Sequence, residues 1–336
     1  MKAIVLCDPT KLPFIVYNGE VIEEIKTRSR LEIDSRIYTS EDIRSGEKEF
    51  LDVDFIFSTW GMPALNEEEI ERYFPSLKCI FYAAGSVQKF ARPFFKRGVR
   101  IFSAWAANAI PVAEFTAAEI ILANKGLFPL SRIMADKNTE LADSLKYYYN
   151  GNFRQRVGLI GCGMIGSYVA KLLKNYNLEV WAFDPFLPEE RAKELGVKLT
   201  SLEELFKNCS VVSNHLADNE HTRGMLNYSL FSLMGKNASF INTGRGAQVV
   251  EDDLVRILTE RPDITAILDV TYPEPPEISH PFYTLKNCVL TPHIAGNIVL
   301  NEQMRMIDYL LEEFERYVNG EPAKYEVTEN MLDRMA

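Results

Sequence analysis

Four short segments hold side chains able to do chemistry together. The first is Gly161-Cys162-Gly163-Met164-Ile165-Gly166, between an apolar run and a helical pattern. Gly161 permits a tight turn, Gly163 lets backbone approach an anion, and Gly166 lets the helix pack on the strand. The helix N-terminus then offers free N–H groups to a pyrophosphate. Asp184 follows 18 residues after Gly166, at the end of a strand pattern, where an acid accepts from the ribose hydroxyls of a dinucleotide. The next residues, Pro185-Phe186-Leu187-Pro188, contain no cation to neutralise a 2′-phosphate, which favours NAD over NADP. The other three segments carry Arg245, Glu274 and His293. A carbonyl carbon that accepts hydride leaves an alkoxide needing a proton, and histidine is the natural donor near neutral pH. His293 suits that role. A carboxylate such as Glu274 stabilises an imidazolium. A guanidinium such as Arg245 grips a substrate carboxylate through two hydrogen bonds. Taken singly, His293 also reads as a structural histidine, Glu274 as part of a solvated proline loop, and Arg245 as a surface turn.

These residues need a scaffold, and the pattern of apolar runs supplies one. Residues 3–6, 31–38, 53–59, 77–83 and 99–102 read as short buried strands with helical segments between them. The clearest helix start is Asn66, a capping residue with Glu69 three positions on. A second series has strands at 157–160, 179–183, 210–215, 239–243, 265–270 and 288–290. Arg245, Glu274 and His293 each lie at or just past the end of a strand, where open α/β sheets place ligands. Residues 112–124 read as a helix apolar nearly all round, hence buried. Residues 300–318 read as an amphipathic helix stopped at Asn319-Gly320. The stretch 126–152, with Tyr147-Tyr148-Tyr149, fits either a solvated segment or a subunit contact.

Bulk composition narrows the function classes. A length of 336 residues implies two domains. A net charge of −10 without a basic run excludes a phosphate backbone as partner. Five scattered cysteines with no C-x-x-C pair read as reduced thiols in a cytoplasmic protein without a metal centre. The N-terminus does not resemble a signal peptide, and no apolar stretch is expected to reach the ~20 residues that span a bilayer.

Asn242-Thr243-Gly244-Arg245-Gly246-Ala247, Leu268-Asp269-Val270-Thr271-Tyr272-Pro273-Glu274-Pro275 and Thr291-Pro292-His293-Ile294-Ala295-Gly296 resemble the three signature segments of the D-isomer-specific 2-hydroxyacid dehydrogenase family. That family includes glyoxylate/hydroxypyruvate reductases, D-lactate, phosphoglycerate and formate dehydrogenases, and the C-terminal-binding-protein corepressors. The resemblance implies an α/β protein of two Rossmann-like or flavodoxin-like parallel-sheet domains. An NAD-binding Rossmann domain, 108–298, is inserted into a discontinuous substrate domain, 1–107 and 299–336. It implies NAD(H)-dependent interconversion of a small 2-oxo acid and its D-2-hydroxy acid. His293 would be the general acid/base, Glu274 its partner, and Arg245 the substrate's anchor. By the same resemblance, Met164 and Ile165 abut the pyrophosphate and Leu216 and Ala217 flank the adenosine. Thr222 and Thr243 line the groove, and Asp269 holds the nicotinamide carboxamide. The substrate meets backbone near Ala84, Gly85 and Ser86, and Asn108. For Asn108, a residue capping its own helix is an equal reading. His215 either lines the groove or packs at a strand end. The family arrangement implies a homodimer joined through the cofactor domain. An NAD(H)-sensing binding protein of the corepressor type is the alternative.

Departures fall near the substrate. Ala217 stands where the family usually has proline, and Phe102-Ser103-Ala104-Trp105 replaces a commoner Asn-x-Pro run. Segments 58–62, 82–87 and 103–108 contain no basic residue, the nearest being Lys89 and Arg92. That suggests a small, non-phosphorylated 2-oxo acid such as glyoxylate, hydroxypyruvate or a modest apolar analogue. Trp60, Tyr82 and Trp105 form either an aromatic wall or core.

Overall fold

The computed structural model describes residues 1–9, 16–46, 48–296 and 300–334. The chain divides into two units, Met1–Asn108 with Asn297–Ala336, and Ala109–Gly296. The 298/299 boundary expected from the sequence lies outside the described residues.

The first unit is built on a six-stranded sheet in the order β13-β5-β4-β3-β1-β2. Its strands are β1 (Lys2–Leu6), β2 (Glu32–Tyr38), β3 (Phe55–Ser58), β4 (Cys79–Tyr82), β5 (Arg100–Ser103) and β13 (Glu326–Val327). All pair in parallel except β13, which runs antiparallel to β5. β3 and β4 are buried along their whole length, as parallel strands covered on both faces must be. Phe57, Phe81 and Phe102 stack ring on ring across β3, β4 and β5. Asn66 caps helix Glu67–Tyr73 in the reciprocal bond with Glu69 that the sequence predicts.

The second unit holds a seven-stranded sheet in the order β12-β11-β10-β9-β6-β7-β8. Its strands are β6 (Phe153–Ile160), β7 (Asn177–Phe183), β8 (Val197–Leu199), β9 (Val211–Asn214), β10 (Ser239–Asn242), β11 (Thr265–Leu268) and β12 (Cys288–Leu290), all parallel. Chain order reverses between β6 and β9. That switch point is where open sheets leave a crevice at their carboxyl ends.

Two parallel-sheet α/β units are therefore what the strand–helix alternation led to. Three details differ. β8 and β13 are absent from the sequence reading, being too short to show a period. The helix expected over 112–124 runs from Trp105 to Asn124, through Pro111. Asn108 lies inside it and donates its N–H to Ala104 O at 2.9 Å, so it does not cap the helix start. At 20 residues and a mean hydropathy of 1.3, this helix is long and apolar enough to span a bilayer, which corrects the expectation that no stretch would be. In this fold it is a core helix: Ala113, Ala117, Ile120 and Ala123 are buried in one cluster with Val157, Leu159 and Val169.

β13 owes its place to polar contacts. The Glu313 carboxylate, fully buried on helix Leu300–Asn319, accepts the N–H groups of Lys324 and Tyr325 at 3.0 and 3.1 Å. Arg100 on β5 grips Glu326 through two bonds of 2.7 and 2.6 Å. Glu313→Ala leaves both N–H groups without their acceptor and should cost roughly 2–4 kcal/mol of stability. Urea unfolding of the whole chain measures it, and a loss under ~0.5 kcal/mol would show that β13 is held otherwise.

Candidate active site

The glycine turn leaves β6 at Ile160. Gly161 sits at φ +88°, and a Cβ there would stand 3.0 Å from the carbonyl oxygen of His215. A Cβ on Gly166 would fall 2.0 Å from Gly161 O, so helix Met164–Leu173 approaches the strand as only glycine allows. Gly163 faces open space, and no side chain caps the first turn of that helix. Asp184, one residue past β7, accepts Cys162 N–H at 2.8 Å and Phe186 N–H at 2.9 Å, bracing the turn. His215 is 9% exposed with neither ring nitrogen partnered, and burial pushes its pKa down to about 3, so it is neutral. An open glycine, an uncapped helix start, a strand-end acid and an orphaned buried imidazole fit a dinucleotide. Thr222 Oγ1 donates to Ala217 O at 2.7 Å and accepts Asn219 N–H at 3.1 Å, closing the turn that carries Leu216 and Ala217.

Arg245 follows β10 and is held by buried amides. Asn214 Nδ2 donates to Asn242 Oδ1 at 3.0 Å and to Gln248 Oε1 at 2.5 Å. Gln248 Oε1 also accepts Arg245 N–H at 3.2 Å, and Asn242 Nδ2 donates to Arg245 O at 3.1 Å. All three amide side chains are at most 1% exposed. A Cβ on Gly246 would overlap the Thr271 backbone at 2.0 Å, so the turn also needs its glycine. The Arg245 guanidinium is half-buried and donates to Gly244 O at 2.7 Å. Burial lowers its pKa, while the carboxylates of Glu274 and Asp218 oppose that shift.

His293 Nδ1 lies 2.5 Å from Glu274 Oε1, and both side chains keep about two-fifths of their surface exposed. His293 has φ +54°, in the left-handed region. Asp269, just past β11 and 3% exposed, holds the loop there. Its Oδ1 accepts from Thr291 Oγ1 at 2.5 Å and Ile294 N–H at 2.8 Å, and its Oδ2 from Ala295 N–H at 3.0 Å. Thr243 Oγ1 meets Thr116 Oγ1 at 2.9 Å. The second unit thus brings Arg245, Glu274 and His293 into one electrostatic neighbourhood. With Nδ1 facing Glu274, Nε2 is the ring nitrogen that this pair leaves over.

In the first unit, Ser103 Oγ donates to Ala84 O at 2.8 Å and Gly85 O at 2.6 Å, and Thr59 Oγ1 to Ala83 O at 2.7 Å. The carbonyls are thereby tied down. The N–H groups of Gly85 and Ser86 donate to nothing among the described residues. A Cβ on Gly85 would stand 3.8 Å from Asn108 Nδ2, so these substrate candidates cluster. Tyr82 is core, at 6% exposure, whereas Trp60 and Trp105 are only partly buried beside it.

Sequence reasoning missed the amides of Asn214 and Gln248 and the clamp that Asp269 makes on the His293 loop. The only signal was polar residues ending apolar strands. It also missed Glu119, 7% exposed on helix Trp105–Asn124, with Oε2 unpartnered.

Comparison with known proteins follows the same lines. Residues 118–295, more than half of the chain, match the sequence model of a family described as D-isomer specific 2-hydroxyacid dehydrogenase, NAD binding domain. Over 178 residues the chain is 34% identical to the glyoxylate reductase of Aeropyrum pernix, taking in 53% of this chain and 51% of that protein. Over 202 residues it is 31% identical to the D-3-phosphoglycerate dehydrogenase of Archaeoglobus fulgidus, taking in 60% and 38%. The chain thus spans about half, or less, of these relatives. Its fold matches that of a D-isomer specific 2-hydroxyacid dehydrogenase from Lactobacillus delbrueckii ssp. bulgaricus in its NAD-complexed form. The TM-score is 0.76 at 21% identity, covering 97% of this chain and 100% of that one.

Glu119 has a measurable consequence. Burial, and then the nearby Asp269 carboxylate, push its pKa from 4.5 up to about 8. Between those values the folded state keeps a proton that the unfolded state has lost. Its contribution is fully present below the lower value and is lost as pH rises through the upper one. Stability should fall across that window by at most about 1.4 kcal/mol per pH unit. Glu119→Gln should flatten the slope. Unfolding free energies at two pH values inside the window decide it, and equal slopes in both proteins would remove the buried proton.

Proposed function

This chain belongs to the D-isomer specific 2-hydroxyacid dehydrogenase family, and from that premise we propose that it interconverts a small 2-oxo acid and its D-2-hydroxy acid with NAD(H). The observation that carries the reading is His293 Nδ1 held at 2.5 Å by Glu274 in the unit that bears the dinucleotide turn. Gly161, Gly163, Met164, Ile165 and Gly166 hold the pyrophosphate. Asp184 takes the ribose, and Leu216, Ala217, Thr222, Thr243 and Asp269 line the rest of the cofactor site. When bound, NAD(H) supplies or takes the hydride. The Arg245 guanidinium fixes the substrate carboxylate and polarises the carbonyl. His293 Nε2 gives its proton to the carbonyl oxygen in reduction and takes it back in oxidation, while Glu274 orients the ring and balances its charge. Ala84, Gly85, Ser86 and Asn108 are the substrate-binding candidates within the first unit.

A corepressor-type NAD(H) sensor is not favoured, since the relatives named above are a reductase and a dehydrogenase. The buried free cysteines suit a reducing, cytoplasmic setting.

NADH consumption with glyoxylate, hydroxypyruvate, pyruvate and branched 2-oxo acids tests the activity. His293→Ala should lower kcat by about 10²–10⁴-fold with NADH binding retained. Glu274→Gln should move the pH profile of reduction to lower pH, because the imidazolium loses its partner. Arg245→Ala should impair substrate binding and turnover by roughly 2–5 kcal/mol. Wild-type rates in the His293 variant would refute the assignment, and NADH binding without any reduction would return the sensor reading.

We also infer a homodimer through the second unit. Leu127, Met134, Leu141, Tyr147, Tyr148 and Phe153 there expose large apolar surfaces, as interface residues do. Light scattering at micromolar concentration should give twice the 38.4 kDa subunit mass, and a single subunit mass would count against it.

A further inference from the structure

Two loops of the second unit have different duties under the function proposed above. The loop after β9 presents Leu216 and Ala217 to the cofactor, and the loop after β10 presents Arg245 to the acid. β9 and β10 pair in parallel, with Asn214 opposite Asn242 at their last residues. Gln248 bonds to the main chain of both loops. It ends the short helical turn Gly246–Gln248 and is completely buried. Its own main chain is fixed on both sides, its N–H donating to Arg245 O at 3.4 Å and its carbonyl accepting Leu226 N–H at 3.0 Å.

The carboxamide works at both ends. Nε2 donates to Leu216 O at 2.7 Å. Oε1 accepts Arg245 N–H at 3.2 Å and Asn214 Nδ2 at 2.5 Å. The orientation is determined by these partners. Turned over, the amide nitrogen would face two donors and the oxygen would face a carbonyl. Asn214 Oδ1 accepts Leu216 N–H at 3.3 Å, so the two amides together hold both polar main-chain groups of Leu216. The space is tight: a Cβ on Gly244 would stand 2.9 Å from Asn214 Nδ2 and 3.0 Å from Gln248 Oε1. A buried amide is costly unless its bonds are made, and an apolar side chain of similar volume would fill this place without that demand. What the amide adds is one planar group that fixes the spacing between two loops.

We propose that Gln248 is a positioning residue for both ligands. It sets Arg245 for the substrate carboxylate and holds the Leu216–Ala217 turn for the cofactor. The inference rests on the dehydrogenase reading above and lies wholly within the second unit.

The test reads the two ends separately. Oxamate keeps the carboxylate and carbonyl of a 2-oxo acid but accepts no hydride, so its binding is measured apart from turnover. NADH is titrated by fluorescence, and oxamate by calorimetry into protein saturated with NADH. In Gln248→Met, checked for native circular dichroism, the oxamate Kd should rise ~10–100-fold and the NADH Kd ~3–10-fold. Gln248→Asn, one methylene too short to keep all three bonds, should fall between, and decides the matter if the methionine variant does not fold. In an Arg245→Ala background, Gln248→Met should leave oxamate affinity within about twofold and still weaken NADH. A general loss of structure would weaken both ligands in either background. Both affinities unchanged by Gln248→Met or Gln248→Asn overturn the proposal. So does an oxamate loss of the same size with and without Arg245. Failure of the dehydrogenase reading shows separately, as a wild type that reduces no 2-oxo acid whatever the Gln248 variants bind.

Discussion

The geometry around His293 in the second unit depends on one carboxylate. His293 sits in a left-handed conformation that costs a non-glycine residue about 1–2 kcal/mol. Nothing about a histidine compensates that. Asp269 does, by accepting from Thr291, Ile294 and Ala295 on either side of it. Hydrogen bonds to a charged group contribute about 1.5–3 kcal/mol each, so three outweigh the strain. Asp269 is itself anchored, its N–H donating to Asn242 O at 3.0 Å. Asn242 in turn holds Gly244 N–H and Arg245 O. The loops of Arg245 and His293, which follow β10 and β12, are therefore tied through Asp269 at the end of β11 between them by one connected set of bonds.

Much of this arrangement was legible in the sequence, and for physical reasons. Parallel strands buried on both faces must be short apolar runs, so β3, β4 and β9 could be read directly. The glycine spacing could be read because Gly166 and Gly161 meet where no Cβ fits. The Asn66–Glu69 cap is a local bond between residues three apart. What could not be read is what depends on partners distant in sequence. β13 is two residues held by Glu313 and Arg100, and no local pattern reports that. Trp105 to Asn108 extend a helix beyond a proline that would ordinarily mark its start.

The same distinction separates charge from composition. A net charge of −10 points away from anionic ligands, yet Arg245 is placed where burial works against its own charge. Local desolvation, not the sum of charges, decides what such a residue binds, because an ion half-removed from water interacts far more strongly with its neighbours than one on the surface.

Glu119 and Asp269 show how far the environment can divide two identical groups. Both are buried carboxyls in the same unit, 7% and 3% exposed. Asp269 accepts hydrogen bonds from three donors, which occupy both its oxygens. Glu119 has an unpartnered oxygen and faces the Asp269 charge, so it keeps its proton. A second ionised carboxylate there would be repelled by Asp269. The protonated form of Glu119 thus spares the unit a second negative charge beside Asp269, whose oxygens hold the loop that carries His293.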